Sequence, residues 1–163
     1  MKIMWSAIAT AAIVTLAVAA YWVDRRPSEL AMAFAARVDE NSARLVSLSE
    51  LTSFPWEAVV FLGPYTSRET ARSAMGFEWK DFETFDLEMS DSFSLAVFLK
   101  GNQVIKASKI NRCRPDFGGE LLAKQIPPSA AQFVIDRSSG CATFRAANQV
   151  VPKIATSEQA HAF

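Results

Sequence analysis

Apolar and polar positions divide the chain into stretches of different rhythm. Residues 3–23 form an unbroken run of 21 uncharged residues between Lys2 and Asp24, with seven alanines and no polar face. After Pro27, Leu30, Phe34 and Val38 recur at intervals of four, one stripe of a short helix. Ser28 or Asp24 can cap it, and Glu29 suits its first turn. Asp39, Glu40, Asn41 and Ser42 break the pattern. Ser47 and Glu50 have capping-box spacing for one helical turn that Phe54-Pro55 ends. Residues 56–62 hold Trp56, Val59, Val60, Phe61 and Leu62 and stop at Gly63-Pro64, the mark of a buried strand. Thr66 and Glu69 then make a second capping box, for a helix over residues 67–75 that Gly76 stops.

The second half reads mostly as strands. Residues 78–91 carry six acids (Glu78, Asp81, Glu83, Asp86, Glu88, Asp91) against Lys80, interleaved with Phe82, Phe85, Leu87 and Met89. This predicts an irregular segment with one strand, whose aromatics plug the core. Its spacing lacks the EF-hand pattern and glycine of a calcium loop. Residues 92–99 and 103–110 flank Lys100-Gly101-Asn102 and predict a hairpin. Asp116 can cap a short helix near residues 119–125, before Pro127-Pro128. Residues 131–136 and 141–146 predict a second hairpin, and the tail from Pro152 is polar.

The fold expected is α+β: an N-terminal membrane or signal helix, then a small, mainly antiparallel sheet with two or three short helices. The divisions expected are 1–23 (signal peptide or transmembrane anchor), 24–44 (juxtamembrane helix and connection), 45–151 (α+β domain) and 152–163 (tail).

Length changes the reading of the first run. About 20 apolar residues in a helix span a bilayer core, and Trp5, Tyr21 and Trp22 flank it as an interfacial belt does. Ala17-Val18-Ala19 also fits signal-peptidase cleavage after a short charged start at Lys2. The Tyr21-Trp22 pair favours the anchor. The expected location is the inner membrane, single-pass with the C-terminal domain outside the cytoplasm, or periplasmic or secreted after cleavage.

Charge and composition narrow the chemistry. Net charge is zero across 163 residues, so nothing favours nucleic acid as a partner. The single histidine, His161, lies in the tail, which disfavours histidine-dependent catalysis and histidine-ligated metals. No Gly-x-Ser-x-Gly, Ser-x-x-Lys or nucleotide-binding glycine motif occurs. No cofactor, metal site or catalytic residue is therefore assigned.

Cys113 and Cys141 lie 28 apart, too far for a Cys-x-x-Cys motif. In an oxidising compartment they are expected to pair, contributing about 3–4 kcal/mol by loop closure; the alternative is two buried thiols of a cytosolic domain. The stretch with Lys106, Lys109, Arg112 and Arg114 has no acid between Lys100 and Asp116. Its simpler reading is a solvated strand face paired with the acidic segment; the functional one is a patch for an anion or anionic lipid.

The run Phe54-Pro55-Trp56-Glu57, then Val59-Val60-Phe61-Leu62-Gly63-Pro64-Tyr65-Thr66, resembles a pattern of small exported bacterial proteins of unknown function. Gly76-Phe77-Glu78-Trp79, the 95–103 strand and turn, Arg112 to Phe117 and Phe133 to Arg137 continue it over residues 45–146. The chain departs from it at Cys113 and Pro115. The resemblance implies an envelope location and an α+β fold, and supplies no activity. Read from the residues, Trp56 starts a buried strand and Tyr65 caps a turn; the alternative, a ligand role for either, makes them candidate binding residues beside Lys106, Lys109 and Arg112.

The function expected is a non-catalytic binding or structural domain, joined to the membrane through residues 3–23 and contacting an envelope protein or ligand. The alternative is a small envelope hydrolase using paired carboxylates of the acidic segment. A reporter enzyme fused after Phe163 is expected to be active outside the cytoplasm; activity inside reverses the topology.

Overall fold

A computed structural model describes residues 28–40 and 45–149. The apolar run, Asp24, Pro27 and the tail from Pro152 lie outside the described residues. Among the described residues no helix is long and apolar enough to cross a membrane.

Helix α1 (Glu29–Asp39) is capped by Ser28, whose hydroxyl accepts from Ala31 N–H, and it buries Leu30 and Phe34. Strand β1 (Val46–Ser47) leads into a 3-10 turn over Leu48–Glu50. The Ser47 side chain makes no cap bond there, so the expected box is absent although the helical turn forms. Strand β2 (Ala58–Leu62) is buried throughout. Helix α2 (Arg68–Met75) ends at Gly76, in the left-handed region at φ 82°. Its cap is Ser67, not Thr66. The Thr66 hydroxyl is drawn back to the Gly63 carbonyl at 2.6 Å, which closes the Gly-Pro turn instead.

The acidic segment holds no strand. It winds through 3-10 turns over Lys80–Phe85 and Leu87–Met89, burying Phe82 and Leu87. Strands β3 (Phe93–Lys100) and β4 (Gln103–Asn111) then form the expected hairpin. Strand β5 (Asp116–Phe117) is followed by a 3-10 turn over Gly119–Leu121 whose cap position is Gly118. Asp116 caps no helix: its carboxylate accepts from Cys113 N–H at 3.0 Å. Strands β6 (Gln125–Ile126), β7 (Gln132–Asp136) and β8 (Thr143–Ala146) complete the fold, β7 and β8 being the second hairpin.

The architecture is α+β with two sheets where one was expected. Their strand orders are β4-β3-β2-β6 and β1-β7-β8-β5. Pairing is antiparallel except between β5 and β8. The first sheet is the middle layer. On one face Val59, Phe61, Ala96, Phe98 and Ile110 pack with Phe117, Phe133 and Phe144 of the second sheet and Phe34 of α1. Here Phe61 stacks on Phe117 at 4.1 Å, and Phe34 meets Phe144 edge-on at 5.0 Å. On the other face Val60, Leu62, Leu95, Val97 and Leu99 pack under Ala71 and Met75 of α2 and under Phe82 and Leu87. Strand alternation sends successive side chains to opposite cores, so β2 and β3 read as continuous apolar runs.

Strand β4 lies at the edge and carries a bulge. Phe98 pairs with Lys106 and Leu99 with Val104, leaving Ile105 without a partner. The Ser108 hydroxyl, buried on this strand, has no hydrogen-bond partner.

The disulfide Cys113–Cys141 forms, with its Cα atoms 4.7 Å apart. It joins the exit of β4 to the entry of β8, just ahead of the parallel register Asp116↔Thr143. The covalent link thus ties one sheet to the other.

Phe98 is fully buried against Phe54 and Trp56. Phe98→Ala is expected to destabilise by about 3–5 kcal/mol and Phe98→Asp to prevent folding, read by urea denaturation and circular dichroism. A wild-type midpoint for either would contradict the two-sided burial of β3.

Candidate functional site

The five sequence-derived binding candidates do not come together. Trp56 is 9% exposed, its ring packed edge-on against Phe98 at 5.4 Å. Its indole N–H donates to Thr52 Oγ1 at 2.9 Å, and that hydroxyl donates to the Leu48 carbonyl. It is a buttress that fixes the turn before β2.

The basic strand is split by the sheet itself. Lys106 pairs with Phe98 and points to that residue's face, with its ammonium 4.8 Å from the Phe54 ring centre. Lys109 pairs with Leu95 on the opposite face and lies over Phe93 at 4.7 Å and Phe85 at 5.7 Å. Arg112 bonds Ser92 through its backbone and faces Asp116 at 3.5 Å. The expected pairing of this strand with the acidic segment is absent among the described ion pairs. Each lysine instead covers aromatic carbon that the core leaves at its margin.

The acids find their partner in Arg68 of α2. Its guanidinium bonds Glu78 at 2.6 Å and also Glu83, while its backbone N–H donates to Glu88. The Glu78 hydrogen bond, with the charges of Glu78 and Glu83, raises the Arg68 pKa further above its ordinary value. All six acids are exposed. A carboxyl that serves as a general acid is held protonated by desolvation or a like charge, and exposure supplies no desolvation. Elsewhere Asp136 is held below the ordinary aspartate range, first by the Ser138 N–H and then by the Ser138 hydroxyl and Arg145. That stabilisation is present above the ordinary value of 3.8 and is lost as pH falls below it.

Two surface features remain. The first is a groove of about 560 Å³ walled by Ser53, Phe54, Pro55, Lys100, Ile105 and Lys106. Phe54 is set by its edge-on contact with Phe98 at 5.0 Å. The hairpin wall is set by Glu57, whose carboxylate accepts from Gly101 N–H at 2.8 Å. Sequence reading found Lys106 but not the groove, because the bulge that presents Ile105 is invisible in an alternating pattern. The second is Tyr65, 63% exposed, beside Met89, 87% exposed. Tyr65 N–H reaches the Leu87 and Ser90 carbonyls at 3.1 and 3.3 Å, which sets the Tyr65 backbone against the turn that carries Met89. Tyr65 sits at φ 58°, a left-handed position that glycine or asparagine ordinarily fills. The groove lies where Ala58 pairs with Leu99, and Tyr65 beyond the Leu62 end of β2, so the two sit at opposite ends of the sheet.

Sulfur chemistry is taken up by the fold. The donor atoms of Cys113, Cys141 and Asp116 lie within 4.8 Å of one another, but both sulfurs belong to the disulfide.

Arg68→Ala leaves Glu78 and Glu83 without their shared cation, while Glu88 keeps its bond to the backbone N–H. The thermal midpoint is expected to fall in low salt, and the deficit to shrink in 1 M NaCl as screening relieves the repulsion. A deficit independent of salt would mean that Arg68 acts through packing alone.

No protein-family model, curated protein or solved structure matches this chain.

Proposed function

We propose that the chain is a non-catalytic binding domain of the cell envelope, displayed outside the cytoplasmic membrane, whose contact with a protein partner centres on Tyr65 and Met89. The observation that carries this reading is Tyr65 itself. Its backbone occupies a conformation that disfavours a side chain, and its ring points into solvent rather than into either core. Strain of this kind persists where surroundings over-determine it and clusters at functional positions. Tyrosine and methionine are each enriched at protein interfaces, and here both are exposed on segments joined by backbone hydrogen bonds.

The location rests on the apolar run at residues 3–23 and on the resemblance to exported bacterial proteins. The disulfide supports it, since such bonds persist in oxidising compartments. The hydrolase alternative has no comparable support, because the acids it needs are exposed and three of them are engaged by Arg68.

A photo-crosslinking amino acid at position 65 of the full chain, in its native envelope, is expected to capture one discrete partner, and the same probe at exposed Gln132 none. Tyr65→Gly is expected to keep or raise the melting temperature, since glycine relieves the left-handed strain, while abolishing capture from a second probe at Met89. Equal capture at positions 65 and 132, or a lower melting temperature for Tyr65→Gly, would remove the basis for the reading.

A further inference from the structure

The groove beside the hairpin tip is a separate feature with chemistry of its own. Three of its six lining residues, Phe54, Pro55 and Ile105, are apolar, and two, Lys100 and Lys106, are cationic. No acid lines it, and Glu57, next to Ala58 at the same end of the sheet, has its carboxylate on Gly101 N–H. We infer that this groove binds a single-chain amphipathic anion: an acyl chain of medium length ending in a carboxylate.

Size points to a small ligand. A folded partner engages about 20–30 residues on each side of an interface, whereas six line this groove. Its volume of about 560 Å³ falls in the range that single small molecules occupy.

Geometry sets head against tail. The Lys106 ammonium lies over the Phe54 ring. An anion paired with Lys106 therefore starts its chain at Phe54, with Pro55 and Ile105 as further walls. The bulge contributes directly. Ile105 is the one β4 residue released from pairing and is 40% exposed, which places an isoleucine against the groove instead of in a core. Two ammonium groups suit one compact charged head, and the apolar walls reward a tail in place of water.

The test uses the full chain in phosphatidylcholine nanodiscs and a photoreactive decanoate carrying a diazirine on its chain, with adducts mapped by mass spectrometry. Adducts are expected at residues 53–55 and 100–106. Decanoate should displace the probe and decanol should not. Lys106→Gln should cut labelling about fivefold, the scale of one exposed ion pair. Lys100→Gln should act in the same direction, and Lys124→Gln, at an exposed lysine outside the groove, should change nothing. Matched melting temperatures exclude loss of fold as the cause. Adducts spread outside the groove, equal competition by decanol, or full labelling of both groove-lysine variants would each overturn the inference. So would nanodiscs of phosphatidylglycerol that abolish labelling, because the groove would then belong to a bilayer surface.

Discussion

Strands β2 and β3 carry apolar side chains on both faces, and neither face can be left to water. Pairing with further strands covers only the edges of a sheet, so this chain covers the two faces from above and below. One cover is the second sheet with α1, joined through a cluster of phenylalanines. The other is α2 with the two 3-10 turns after it. Each cover is thin. The second sheet has two strands of only two residues, β1 and β5, and the acidic layer has no sheet at all. Burial against the middle layer therefore stabilises both covers, and a specific link reinforces each: the Cys113–Cys141 disulfide for the second sheet and the Arg68 ion pairs for the acidic layer.

This constraint explains which parts of the fold were legible. A strand buried on both faces is a dense apolar run between turn signals, so β2 and the β3–β4 hairpin stand out in the sequence. Gly76 marks the end of α2 because a left-handed stop strongly favours glycine. The caps were less legible. Thr66 and Ser67 are adjacent hydroxyls, and the one with the closer local carbonyl is diverted to it. The acidic segment gave no periodicity to read, since its aromatics enter the core from 3-10 turns of uneven spacing. In the second sheet the β7–β8 hairpin was legible, whereas its flanking strands β1 and β5, of two residues each, leave almost no pattern.

The site residues followed the same logic. Lys106 and Lys109 look like one patch along the chain, but an odd spacing on a strand places them on opposite faces. Trp56 reads in the sequence as the start of a buried segment, with binding as the alternative; it is buried, and its neighbours Thr52 and Phe98 show it to be a buttress. Tyr65 stood in a turn motif, and its exposure could not be read from the letters Gly-Pro-Tyr-Thr.

The bulge in β4 has a consequence for how this chain can vary by descent. Gln103 and Val104 pair with Lys100 and Leu99, and Lys106 to Asn111 pair with Phe98 back to Phe93. Loss of the Ile105 codon would leave each of those partners opposite its present neighbour, in an uninterrupted ladder. The hairpin can therefore be built one residue shorter with no change of phase on either side. Ile105 is thus a surplus letter in the strand, open to deletion in related chains, and its retention in any of them would record a demand that arises outside the sheet.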